Sequence, residues 1–169
     1  MSGDLDGAEA ALARFRTLDP QFRAPLERSV GLLQAKLDLD RGNREAAIRG
    51  AREAVAGTGV TANGETLFVW KNASEVLAKA GCREEALAIA RTWLRASTDA
   101  GLARSAGLAL LFLREHEERS HSQEIIAALG AIPRAKAPDV AKTAARLGVP
   151  PALKADWKAL AVQYLLHFN

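Results

Sequence analysis

The chain has one cysteine, one methionine and one tyrosine, and only 5% of its residues are aromatic. With Cys82 alone, no disulfide forms within the chain, so packing must carry the fold. No apolar run approaches the roughly 18 residues that a membrane-spanning helix needs. The first ten residues, MSGDLDGAEA, are acidic where a secretory leader would be basic. Neither a membrane span nor a signal peptide is expected, and a cytoplasmic location is. A block of one charge sign is also missing. With 23 basic against 20 acidic residues, the net charge of +3 is only weak evidence for an acidic partner.

Patterns for chemistry are equally scarce. GTGVTANG, residues 57–64, fits neither GxxxxGK[ST] nor GxGxxG with a strand before it. HEERSH approaches a zinc-protease motif, but His116 and His121 are five apart, so on one helix they diverge by roughly 140°. They are expected at a solvated helix end. Cys82 follows Gly81 at a helix start, where the macrodipole favours a thiolate, yet no histidine stands near as a base. Ser105 and Ser122 lack a nucleophile-elbow context. The chain is therefore expected not to be an enzyme and to need no metal or cofactor.

What the sequence does hold is alanine and leucine. Apolar residues make up 49% and charged residues 25%, a globular composition that favours helix over sheet. GDLDGAEAALARF from Gly3, GNREAAIRGAREA from Gly42 and GCREEALAIARTW from Gly81 repeat one template at an interval of 39. At +3 stand Asp6, Glu45 and Glu84, first-turn acids that suit the positive end of a helix. At +5 stand Ala8, Ala47 and Ala86, at +9 Leu12, Ala51 and Ala90, and at +12 Phe15, Ala54 and Trp93. Those offsets hold one face of a helix, and small residues at +5 let two helices approach closely. A fourth copy begins at Ser120, with Gln123, Ile125, Leu129 and Ile132 at the same offsets.

Other helices fill the intervals. Residues 25–41 carry Leu26, Val30, Leu33 and Leu37 on one stripe, which is expected to be their core face. Residues 65–80 set Phe68 beside Trp70, Ala73, Ser74 and Leu77, and residues 101–119 are apolar nearly all round through Leu113. The order is one B helix, then A–B three times, each unit an antiparallel pair. After Pro138, a short helix and PALKADWKALAVQYLLHF read as capping helices, the latter amphipathic through Leu153, Trp157, Leu160, Ala161, Tyr164, Leu165 and Phe168.

WKNASEVLAKAGCREEALAIARTWLRAS resembles a tetratricopeptide (TPR) repeat. Trp70, Ala73, Ser74, Leu77, Gly81, Glu85, Ala86, Ala90 and Trp93 fall on its large-small-small-large-Gly-Ala-small pattern. The period of 39 departs from the usual 34 of that family and is closer to MalT-like superhelical repeats. The resemblance covers roughly residues 3–132 and implies an all-α, right-handed α–α superhelix with repeats over 1–135 and capping helices over 136–169. It also implies a concave face lined by A helices. There Lys71, Asn72, Glu75 and Lys79, followed by Arg104, Ser105 and Leu108 on the next A helix, would receive an acidic peptide or a free carboxylate.

The expected function is a noncatalytic scaffold that binds a protein or peptide through this surface. Alternatives are a regulatory or sensory repeat region of a larger multidomain protein and, less favoured, a helical-repeat RNA-binding module. The first B helix has no A helix before it. The chain is accordingly expected to be a piece of a longer solenoid, or to form a homo-oligomer through that half repeat or the C-terminal helix.

Overall fold

The computed structural model describes residues 5–23, 26–59 and 61–117, with 121, 123, 124, 127, 128 and 166. Among them no strand occurs and seven α-helices have defined bounds, with 123, 124, 127, 128 and 166 also helical: α1 Leu5–Arg16, α2 Pro20–Arg23, α3 Glu27–Asp40, α4 Arg44–Ala56, α5 Gly64–Lys79, α6 Arg83–Asp99 and α7 Ala103–His116. The chain divides into two compact units, Met1–Gly59 with Asn63–Ala86, and Val60–Ala62 with Leu87–Asn169. The expected boundary at 135, the capping helices of 136–169 apart from Leu166, and Ile125, Leu129 and Ile132 lie outside the described residues.

The template glycines act as helix stops. Gly42 and Gly81 have φ of 82° and 81°, a region that costs other L-residues energy. At the first, the Asn43 N–H donates to the Asp38 carbonyl at 2.7 Å and Gly42 to Leu39 at 3.0 Å. At the second, Cys82 donates to Leu77 at 2.8 Å and Gly81 to Ala78 at 3.0 Å. Each pair satisfies carbonyls that the ending helix would leave orphaned. Gly101, with φ of 68°, closes α6 by the same pair of bonds, Leu102 to Ser97 and Gly101 to Thr98. One turn chemistry thus serves both kinds of helix connection.

In the first unit α3 packs against α4 and α5, α4 also packs against α5, and α1 leans on α3. The template face is the buried one: Ala47, Ala51, Ala54, Ala86 and Leu12 are buried, Ala8 and Phe15 are half-buried, and Ala90, in the second unit, is buried too. Gly50 makes close helix contact possible, since a Cβ there would stand 3.1 Å from the Ala35 Cβ. The loop before α5 ends in a reciprocal cap: the Thr66 N–H donates to Asn63 Oδ1 at 2.9 Å, and the Asn63 N–H donates to Thr66 Oγ1 at 3.0 Å.

The expected stripe of α3 is a correction. Leu32, Ala35 and Leu37 are its buried residues, whereas Leu26 is 51% and Leu33 42% exposed. Burial follows the side on which α4 and α5 pack, and only Leu37 of the expected stripe shares it. Phe68 is likewise exposed on α5, while Trp70, Ala73, Ser74 and Leu77 are buried. In the second unit α7 buries Ala106, Ala109, Leu110, Phe112 and Leu113, as its all-round apolar pattern predicts.

Candidate functional site

Of the residues assigned to a concave face, α5 brings Lys71, Asn72 and Glu75 together, and α3 adds Lys36. The Lys36 Nζ donates to Asn72 Oδ1 at 2.5 Å and lies 3.4 Å from Glu75 Oε2. Lys71 Nζ, one turn before Glu75, meets its other oxygen at 2.8 Å. Asn72 is buried, and its amide donates to the Phe68 carbonyl at 2.7 Å. Partial desolvation pushes the Glu75 pKa upward, but the Lys71 hydrogen bond and the charges of Lys71 and Lys36 outweigh it, so the carboxyl sits below its ordinary range. With Lys36 and Lys71 against Glu75 alone, the cluster carries one positive charge in excess. It ties α3 to α5 as much as it offers contacts to a ligand.

Lys79 is exposed on the last turn of α5. Arg104 and Ser105 belong to the second unit. Arg104 is exposed, but Ser105 is engaged: its Oγ receives the Trp93 Nε1–H at 2.8 Å and bonds Ser97 Oγ at 2.8 Å. It holds α6 to α7, and satisfies the indole of a buried tryptophan. Leu108 is half-buried.

Of the two HEERSH histidines, His116 ends α7 and is half-buried, and His121 departs from expectation. His116 lies against Phe112 with ring centroids 4.3 Å apart and the rings tilted by 48°. His121 is buried rather than solvated, with Nε2 3.3 Å from Glu117 and Nδ1 3.8 Å from Glu124. Among the described residues, no group of three or more His, Cys, Asp and Glu side chains is placed to hold a metal ion. No described helix is long and apolar enough to cross a membrane.

A further site appears where sequence reasoning placed none. An open cleft of about 580 Å³ lies among α1, α3 and α4. Its apolar lining is Leu12, Phe15, Val30, Ala35, Ala46 and Ala54, with Gly31 and Gly50 contributing bare backbone. A Cβ on Gly31 would meet nothing within 4 Å, so that glycine leaves open volume. Arg16, Arg23, Arg28 and Arg49 stand with Glu27, Asp38 and Glu53 around it. Arg23 pairs with Glu27 at 3.1 Å, Arg28 reaches Glu65 at 3.8 Å, and Arg16 donates to Gln34 at 3.3 Å. Arg49 makes no ion pair among the described residues. The signal for this cleft was two glycines inside helices, Gly31 and Gly50, where each costs about 1 kcal/mol relative to alanine.

Around these sites, surface ion pairs join the helices. Arg41, beside the end of α3, pairs with Glu9 of α1, and Arg52 of α4 forks onto Glu85 of α6 at 2.9 and 2.5 Å. Hydrogen bonding by the arginine lowers the carboxyl pKa of both glutamates. Arg44 donates to the carbonyl of Ala80, fastening the start of α4 to the end of α5. Compared with known proteins, the chain matches no family model, no curated protein and no solved structure.

Proposed function

We propose that this chain is a noncatalytic docking module, a right-handed array of TPR-like helix pairs that binds a protein or peptide partner on its helical surface. The observation that supports this best is the open cleft among α1, α3 and α4, which combines an apolar lining with charged groups at its edge. Its volume falls in the range of about 300–1,000 Å³ typical of ligand sites. The helices around it are fixed by their glycine stops and by packing, so a partner loses little free energy to ordering the receptor. Arg16 and Arg49, which line the cleft and form no ion pair among the described residues, would take an acidic side chain of the partner by charge-assisted hydrogen bonds. Lys79 and Arg104 are further exposed cations, while Ser105 is engaged in structure.

The test is a random-peptide display selection against the full chain, with affinities of the selected peptides measured by fluorescence anisotropy. Gly31→Phe would fill the cleft without disturbing the helix, because the position is open and phenylalanine is the better helix former. Cleft-bound peptides should lose at least tenfold in affinity to this variant, with circular dichroism unchanged. Selected peptides indifferent to Gly31→Phe and to Arg49→Glu would refute the cleft as the docking surface. An affinity for RNA that falls steeply between low and moderate salt would favour the nucleic-acid alternative instead.

A further inference from the structure

The 39-residue register sets each lining position of the cleft beside a position one repeat later. Shifted by 39, α3 (27–40) falls on 66–79 and α4 (44–56) on 83–95, within α5 (64–79) and α6 (83–99). Gly31, Gly50 and Ala54 line the cleft where the later copy has Trp70, Ile89 and Trp93. Trp70 and Trp93 are buried, at 3% and 2% exposure. A Cβ on Gly31, by contrast, would meet nothing within 4 Å. α1 returns part of the bulk, with Leu12 and Phe15 where α4 has Ala51 and Ala54. Phe15 nevertheless stays half-buried, and about 580 Å³ remains open. The three walls, α1, α3 and α4, all lie in the first unit. The opening therefore follows from which residues stand on those helices. Charge also enters where bulk leaves: Arg16, Asp38 and Arg49 occupy positions that the later copy gives to Val55, Leu77 and Ala88.

We propose that the cleft seats the indole of a tryptophan from the partner peptide, in the volume left open where Gly31 replaces the repeat's own tryptophan. This assignment rests on the reading of the chain as a docking module and names the side chain that enters its cleft. Size favours an aromatic anchor, which buries about 150–250 Å², and the two glycines let a flat ring approach bare backbone. The charges of the lining are complementary to an indole, whose face is negative and whose edge carries one N–H. Guanidinium groups are attracted to such a face. Arg49 is exposed and forms no ion pair among the described residues, and Arg16 bonds a neutral amide, Gln34, at 3.3 Å. The N–H needs an acceptor once buried, as Trp93 has in Ser105. Asp38 can supply one: it is half-buried, and among the described residues its carboxylate receives one long bond, from Gln34 Nε2 at 3.4 Å. A carboxylate has about four acceptor sites. Phenylalanine would leave Asp38 unused, and leucine would use neither Asp38 nor the arginines. Tryptophan uses the open volume, the cations and the acceptor together, and it is a common anchor of interfaces.

The random-peptide selection on the full chain supplies the probes. Peptides that lose affinity to Gly31→Phe, and so occupy the cleft, should share a tryptophan. Replacing it by alanine should weaken binding at least tenfold, and by phenylalanine to a smaller extent. Asp38→Leu, with circular dichroism unchanged, should remove the preference for tryptophan over phenylalanine. A second measurement needs no peptide. Gly31→Trp should seat the chain's own indole in the cleft and melt above Gly31→Ala, the control for helix propensity. It should also abolish the peptide binding that Gly31→Ala retains. Cleft-bound peptides with no tryptophan in common, or unaffected by its replacement with alanine, would overturn the inference and leave the docking reading standing. So would a Gly31→Trp chain that melts no higher than Gly31→Ala. Peptides indifferent to both Gly31→Phe and Arg49→Glu, or recovery of no binding peptide at all, would remove the inference and the cleft reading together.

Discussion

At the scale of single residues, Gly42 and Gly81 do the same work in different surroundings. A Cβ on Gly42 meets nothing within 4 Å, whereas on Gly81 it would stand 2.5 Å from Arg44 Nη2. Alanine at either place carries the left-handed backbone penalty of about 1–2 kcal/mol. Gly81→Ala must in addition displace the guanidinium that bonds the Ala80 carbonyl. In urea titrations Gly42→Ala should lower stability by that penalty alone, and Gly81→Ala by more; equal losses would contradict the geometry. Glu75 supplies a second residue-scale prediction. Its folded pKa lies below the ordinary carboxylate range. The stability it contributes is therefore complete above the ordinary carboxylate range and lost as pH falls through the lower, folded value. The stability difference between wild type and Glu75→Gln should stay constant from neutral pH to about 5 and shrink on further acidification. A difference that grew toward acid would mean the opposite shift.

At the scale of elements, the template offsets set which side of each B helix meets its neighbours. Ala47 is fully buried where α4 packs against α3 and α5, so bulk has nowhere to go. Ala47→Trp should overpack this contact and cost about 1–3 kcal/mol or more. Retention of the wild-type melting temperature would show that α4 does not bury this face. The +5, +9 and +12 positions were legible in the sequence because a buried face of small residues in a helix leaves a period near 3.6. The A helices were legible only in extent. Leu26, Val30, Leu33 and Leu37 form as good a stripe by spacing as the residues that are buried. A helix with leucines on two sides does not state which side its neighbours cover. Ser105 shows the same limit on the polar side, because its hydrogen bond to Trp93 joins residues 12 apart on different helices.

At the scale of the whole molecule, α3, α4 and α5 pack on one another within the first unit, and under the repeat-array proposal stability is a sum of local and nearest-neighbour terms. Leu32 is fully buried on α3. Leu32→Ala should cost about 2–5 kcal/mol and raise amide hydrogen exchange in α3, α4 and α5 well above any rise in α7. A uniform rise through α7 would instead mark one cooperative unit. Helical class, the repeat interval and the glycine stops belong to the sequence alone, since propensity, periodicity and turn chemistry are local properties of neighbouring residues. Only tertiary structure decided that Leu26 and Leu33 stay uncovered, that Lys36 spans from α3 to Asn72 and Glu75, that His121 is buried, and that a cleft opens over Gly31. Each of these depends on which helix stands beside which, and residues tens of positions apart in the chain carry no local mark of one another.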